Sequence, residues 1–316
     1  MRLSHFAVWL FPMVLGAGIV SGQTYPTKPV RILTSAPGGT SDFTSRIVAQ
    51  GLTASLGQPV IVDNRAGGVA IAEPVSKATP DGYTLLIDGA TMWVPPLMQK
   101  MPYDPVSDFA PISLIVSLPN VLVVHPSLPV KSVKELISLA KAKPGALSYG
   151  STPPGGSVHL STELFNIMAG IKTVRISYKG AGPAVVALIG GEVQLMFSSA
   201  ISVLPHMKSG RLRALGVASL KPSALLPGVP PVAASLPGYE AVAFFGIFAP
   251  AKTPDALIKR LNKEIVQIVN RPDVKEKFSN AGGEAVGSSP EELAAAVRTD
   301  MAKWGKVIKD GNIRAE

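Results

Sequence analysis

Twice along this chain a short β-prone run breaks on a proline-glycine turn and a helix opens behind it. Residues 30–34 lead into Ala36-Pro37-Gly38-Gly39-Thr40-Ser41, and residues 147–150 lead towards Pro153-Pro154-Gly155-Gly156-Ser157. Around each turn, strand-like and helix-like runs keep alternating. In the first series a helix from Thr40 or Ser41 to about Leu56 places Ile47, Val48 and Leu52 on one face and stops at Gly57; strand 60–62, helix 71–78 and strand 83–87 follow. The second series begins past Pro126. It reads as helix 133–143 behind the cap Ser132, strand 147–150, helix 158–168, strand 173–178, a helix from Lys179-Gly180-Ala181-Gly182 to Ile189, strand 193–197, short helix 204–208 and strand 212–217. A further strand is predicted at 243–248. Thr253-Pro254, Arg271-Pro272-Asp273 and Ser289-Pro290-Glu291-Glu292 mark the starts of helices 255–269, 274–280 and 290–309.

Such series build parallel sheets with right-handed crossovers. The expected fold class is α/β in two lobes. Residues 23–124 with 238–316 form lobe 1 and residues 125–237 form lobe 2, with strands near 120–124 and 243–248 crossing between them. Ligands of open α/β sheets sit beyond the carboxyl ends of strands, which here means the cleft between the lobes.

The 316 residues are 47% apolar, enough for a core in each lobe, and include no cysteine. Disulfides, thiol nucleophiles and Cys-ligated zinc or iron–sulfur centres are thereby excluded. There is no Gly-x-Ser-x-Gly elbow, no His-Glu-x-x-His and no Walker loop, and His5, His125, His159 and His206 lack metal-ligand spacing. No enzyme, metal or cofactor is expected. The formal charge of +9 suits solubility or an anionic ligand, and the basic residues are too scattered for nucleic acid. Arg2, the apolar stretch 6–20 and Val20-Ser21-Gly22 read as a signal peptide over residues 1–22, cut before Gln23. At about 15 residues the stretch is short for a spanning helix, which needs ~20. No Cys follows it to carry a lipid, so a periplasmic protein is expected.

The duplicated turn is the main binding candidate. Its glycines let backbone approach an anion, and the helix behind it supplies free N–H groups and partial positive charge. One such turn is also an ordinary strand-to-helix connection; two, one per lobe, can grip an anionic group from both sides. The candidates are therefore Pro37, Gly38, Gly39, Thr40 and Ser41 in the first turn, and Gly156 and Ser157 in the second. Asp42 either favours the helix dipole or orders the loop and bridges waters to the ligand. Thr91, Ser151, Thr152, Ser198 and Ser199 follow strands, where cleft residues belong. Lys179 sits at another strand end, at the surface or facing a carboxylate. His159, in the first turn of its helix, reads as packing or as a contact. Phe244 and Phe245 read as core or as an apolar wall.

At this point the chain resembles the Bug receptors, the extracytoplasmic solute-binding proteins of tripartite tricarboxylate transporters. The markers are Tyr25-Pro26-x-Lys28-Pro29-Val30-Arg31, Ala36-Pro37-Gly38-Gly39-x-x-Asp42, Leu56-Gly57-Gln58-Pro59-Val60, Asp63-Asn64-Arg65, Pro80-Asp81-Gly82-Tyr83-Thr84-Leu85, Pro102-Tyr103-Asp104-Pro105, Tyr178-Lys179-Gly180 and Phe248-Ala249-Pro250. The resemblance implies a type II periplasmic-binding-protein fold whose cleft closes on a carboxylate held by two loops, partly through water. Those loops match 37–42 and 151–157. It also implies a two-component membrane permease as partner, and a monomer is expected; signalling to a membrane sensor is the alternative. Three positions depart from the pattern. Loop 66–70 looks shorter and lacks an Asn, and Pro153-Pro154 stiffen a usually polar loop. Ser198-Ser199 stand where the family often has Asp-Asn, which argues against an amino-acid ligand and towards a dicarboxylate or an aromatic acid.

Overall fold

The structure is a computed structural model and describes residues 25–224 and 226–314; the signal-peptide expectation lies outside them. The first elements are β1 (Val30–Thr34), α1 (Thr40–Leu56), β2 (Val60–Asn64), α2 (Val69–Ser76), β3 (Thr84–Asp88) and the single turn α3 (Ala90–Trp93). The long strand β4 (Phe109–Val124) follows. Next come α4 (Val133–Ala142), β5 (Ser148–Ser151), α5 (Ser157–Ala169), β6 (Val174–Ser177), α6 (Ala181–Ile189), β7 (Leu195–Ser199), α7 (Ala200–Lys208) and β8 (Arg213–Val217). The chain returns through β9 (Val242–Pro250), α8 (Asp255–Val269), α9 (Pro272–Asn280), β10 (Glu284–Ala285) and α10 (Pro290–Gly311).

Two sheets share β4. In the first, β2, β1 and β3 run parallel, and β9 joins antiparallel between β3 and the leading part of β4. β4 pairs with β9 as far as Pro119; from Asn120 it runs antiparallel to β7 and to β8. The second sheet continues from β7 to β5 and β6, all parallel. A second passage lies beside the switch: Ala241 N–H donates to Ala218 O and Ala218 N–H to Asn120 O, both at 2.7 Å. The predicted strand 120–124 is thus the far end of a 16-residue strand. Its first part escaped the sequence reading because Pro111 and Pro119 interrupt it, and prolines argue against a central strand. Register shifts after Pro111 and Leu114 accommodate the irregularity.

Period-two alternation divides each sheet between two cores. Val30, Ile32, Leu85 and Ile87 pack with Leu52 of α1 and Leu261 and Ile265 of α8. Leu33 and Leu86 face the other way, towards Ile71 of α2, Trp93 and Leu293 of α10. In the second sheet Leu122, Val124 and Phe197 pack on Phe165 of α5, while Val121, Val123 and Met196 pack on Val185 and Leu188 of α6 and Val203 of α7. The helix starts follow their signals: Ser132 Oγ accepts from Glu135 N–H at 3.2 Å, and Ser289 and Glu292 form a reciprocal capping box. The predicted short helix 204–208 is the end of α7, which begins directly on β7 with its proline, Pro205, in the last turn.

Candidate functional site

Each of the six parallel strands delivers a residue at or just beyond its C-terminal end to a single cavity. They are Ser35 after β1, Gly67 after β2, Asp88 ending β3, Thr152 after β5, Lys179 after β6 and Ser199 ending β7. The cavity measures about 50 Å³, which at ~10–15 Å³ per water is room for about four. The chain closes tightly around it. Gly67 N–H donates to Lys179 O at 3.2 Å, and the Thr40 and Ser199 hydroxyls share a short hydrogen bond.

Helices α1, α5 and α6 all begin at the cavity, and Gly39, Gly156 and Gly180 are their N-caps, none with a side-chain cap. Each helix leaves its first N–H groups without intrahelical partners and carries about half a positive charge at that end. The two glycine turns have the same backbone path. Gly38 and Gly155 lie in the left-handed region, with φ of +82° and +77°, and are followed by extended Gly39 and Gly156. The first glycine of each pair is needed for that φ. Gly156 is needed for space, because a Cβ there would stand 2.9 Å from Thr91 Cγ2. Gly39 has no such restriction, its nearest neighbour being Ala181 Cβ at 3.6 Å.

Of the residues singled out from the sequence, Gly39, Thr40, Ser41, Thr91, Thr152, Gly156, Ser157, Lys179 and Ser199 line the cavity. Thr40 and Ser41 are inside α1 rather than capping it: Ser199 engages the first hydroxyl, and the second donates to Asp88 Oδ1 at 3.4 Å. Thr152 Oγ1 is buried and has no hydrogen-bond partner. The other candidates stand behind the lining. Pro37 and Gly38 form the outer side of the first turn. Asp42 ties that turn down: its carboxylate accepts from Gly38 N–H at 3.1 Å and Asn64 Nδ2 at 2.9 Å and pairs with Arg46 at 2.9 Å. Ser151 Oγ accepts from Arg175 Nε at 3.2 Å, and the same guanidinium donates to Thr152 O at 3.1 Å. His159 Nδ1 accepts from Gly155 N–H at 3.2 Å and so fixes the second turn. Burial, with Arg175 nearby, pushes its pKa down to about 3, leaving it neutral. Ser198 is buried in β7 without a hydrogen-bond partner for its hydroxyl.

Ser35, Gly67 and Asp88 line the cavity without having been singled out from the sequence, and Asp88 is the charged one. It lines the cavity at 2% exposure, and its Oδ2 accepts from Thr91 Oγ1 at 2.5 Å. Burial pushes its pKa up to about 6 against the hydrogen bonds from Thr91, Gly89 N–H and Ser41. The predicted strand stopped at Ile87, one residue short, so Asp88 did not stand out as a strand-end residue. Phe245 forms one wall of the cavity, whereas Phe244 stacks on Trp93 with ring centroids 5.0 Å apart.

The sequence model of the tripartite tricarboxylate transporter family receptors matches residues 44–313. Protein BugT of Bordetella pertussis is 36% identical over 320 residues, covering 98% of each chain. Among solved structures, Rpa4515 of R. palustris with adipate superposes at a TM-score of 0.87 with 34% identity, over 92% of this chain and 99% of that one. The periplasmic binding protein BugD gives 0.88 and 29% over 92% and 99%, and MatC of Rhodopseudomonas palustris with bound malate gives 0.86 and 26% over 90% and 100%. These neighbours share the two-lobed arrangement of periplasmic binding proteins. The chain belongs to the tripartite tricarboxylate transporter receptor family, whose members are solute-binding proteins and not enzymes.

Proposed function

We propose that this protein captures a small carboxylate in the cavity at the strand ends and presents it to a two-component membrane permease. The observation that carries the proposal is the convergence of three glycine-capped helix N-termini on one enclosed space, since such ends bind anions through free N–H groups. Lys179 adds a positive charge at the rim, and the unpartnered Thr152 hydroxyl offers a donor. Adipate in one structural neighbour and malate in another support a dicarboxylate, and the Phe245 wall leaves an aromatic acid open to the same test. The protein acts in the periplasm as a monomer after removal of residues 1–22. Lobe 1 is residues 23–124 with 238–316 and lobe 2 is residues 125–237; the change of partners along β4 at Pro119 and Asn120 supports a boundary there.

The test is thermal melting of the mature protein against a panel of mono-, di- and aromatic carboxylates. A true ligand raises stability as RT ln(1 + [L]/Kd), about 2.7 kcal/mol at a hundred times Kd. A rise of several degrees that saturates with one acid is the expected outcome. Unchanged melting with every acid would remove the carboxylate assignment.

A further inference from the structure

Asp88 is the only acid among the described residues lining the cavity. It makes no salt bridge there: its partners are the hydroxyls of Thr91 and Ser41 and the N–H of Gly89. The Ser41 contact, at 3.4 Å, is too long to be strong. An ionised carboxylate has about four lone-pair directions, so Asp88 retains acceptor capacity in the space where a ligand would sit. A guest offering only carboxylate oxygens would place like charge against it in an enclosed cavity. A guest with an O–H or N–H donor would fill the open acceptor. Sites built to hydrogen-bond a substrate donor discriminate strongly against the analogue that lacks it, because the buried acceptor is then left unmet. The opposite wall has no competing acid, since β7 ends in Ser198-Ser199.

We propose that Asp88 sets the specificity of this cleft by accepting a hydrogen bond from a hydroxyl or ammonium group on the bound acid, whose own carboxylate lies on the helix N-termini. The inference rests on the carboxylate assignment and narrows it to hydroxy- and amino-substituted acids. Asp88 then supplies the negative partner that Ser198-Ser199 do not.

The experiment is calorimetric titration of the mature protein with matched pairs on common skeletons: succinate against malate and aspartate, propionate against lactate and alanine, adipate against a hydroxy- or aminoadipate, and benzoate against a hydroxybenzoate. The wild type binds the donor-bearing member at least tenfold more tightly than its unsubstituted partner. Asp88→Ser, whose short side chain does not reach the guest, brings the two within about threefold, and Asp88→Asn does so for an ammonium-bearing guest. A hydroxyl donor and an ammonium donor separate in Asp88→Asn, whose amide carbonyl still accepts from a hydroxyl but no longer balances a cation. Equal wild-type affinity for both members of the tightest-binding pair overturns the role of Asp88 and leaves carboxylate binding standing. So does a preference that survives in both variants. No heat with any acid overturns the carboxylate assignment and this inference together.

Discussion

Gly182 packs its α-carbon directly against the carbonyl of Pro37, so close that a built Cβ would fall well inside contact distance of that oxygen. Next to it, a Cβ on Gly180 would stand 3.1 Å from Ala36 Cβ. The start of α6 is thus seated on the first glycine turn, backbone against backbone. Gly67 N–H donates to the carbonyl of Lys179 at the same seam.

A methyl at position 182 would meet rigid backbone rather than a flexible side chain. In solution Gly182→Ala should therefore hold the seam apart. Alanine is the better helix former, which offsets part of the lost seam contact, so the unliganded variant should still fold and melt cooperatively. Carboxylate affinity should fall at least tenfold, and small-angle scattering should show less compaction on adding ligand than the wild type is expected to show. Wild-type affinity in Gly182→Ala would mean that the seam opens without affecting capture.

Gly39 is the N-cap of α1 and Ser157 the first residue of α5, and both line the cavity. Gly39 is extended and has room for a Cβ, so Gly39→Val leaves the turn intact and sets its methyls against Ala181, at the start of α6 in the cavity lining. Ser157→Val removes a hydroxyl from the facing helix start. Each variant should weaken binding by one to two orders of magnitude while changing the urea midpoint little. Unchanged affinity in both would take the turns out of the site.

These turns were legible in the sequence because the same glycine pair before a helix occurs twice, and the alternating runs made the parallel strands plain. The lining was harder to read. Asp42 follows the first turn as closely as any residue, yet it faces Gly38, Asn64 and Arg46 rather than the cavity. Asp88 reaches the cavity from a strand 46 positions on; only the sheet order, with β1 beside β3, brings it near α1. Sequence distance conceals such a neighbour, and so does an apolar run whose last residue changes character. The first part of β4 was hidden by its prolines, whose cost is absorbed by irregular register.

The ties around Asp42 make a coupled unit. Removing Asn64 by Asn64→Ala takes away one donor to Asp42 and one to Ser35 O, which it meets at 2.7 Å. Asp42→Asn removes the charge facing Arg46 and one of the two oxygens that accept from Gly38 N–H and Asn64 Nδ2. Each single change should lower stability by about 1–3 kcal/mol, the usual effect of leaving a buried polar group unmet. Because both loosen the same turn, the double variant should lose less than the sum, with a coupling of at least 0.5 kcal/mol in a denaturation cycle. Strict additivity would show that Asn64 and Asp42 support the turn separately.

Asp88 and His159 should give the protein opposing acid responses. The carboxyl of Asp88 has its pKa raised to about 6, so its contribution to stability is present at low pH and lost as pH rises through 6. Around it stand the neutral donors Ser41, Thr91 and Gly89 N–H, the Tyr103 hydroxyl and, across the cavity, Lys179. The imidazole of His159 has its pKa lowered to about 3, so its contribution is present above the ordinary histidine value and lost as pH falls from about 6.5 towards 3. Asp88→Asn should therefore stabilise the unliganded protein at pH 8 by up to about 3 kcal/mol, an advantage that shrinks towards pH 4. His159→Asn keeps an acceptor for Gly155 N–H and should match wild type at pH 8. Below pH 6 it should resist acid better, by a margin that widens to pH 4. Urea midpoints at pH 8, 6 and 4.5 check both signs, and parallel pH profiles for the two variants would contradict the burial that sets these groups apart.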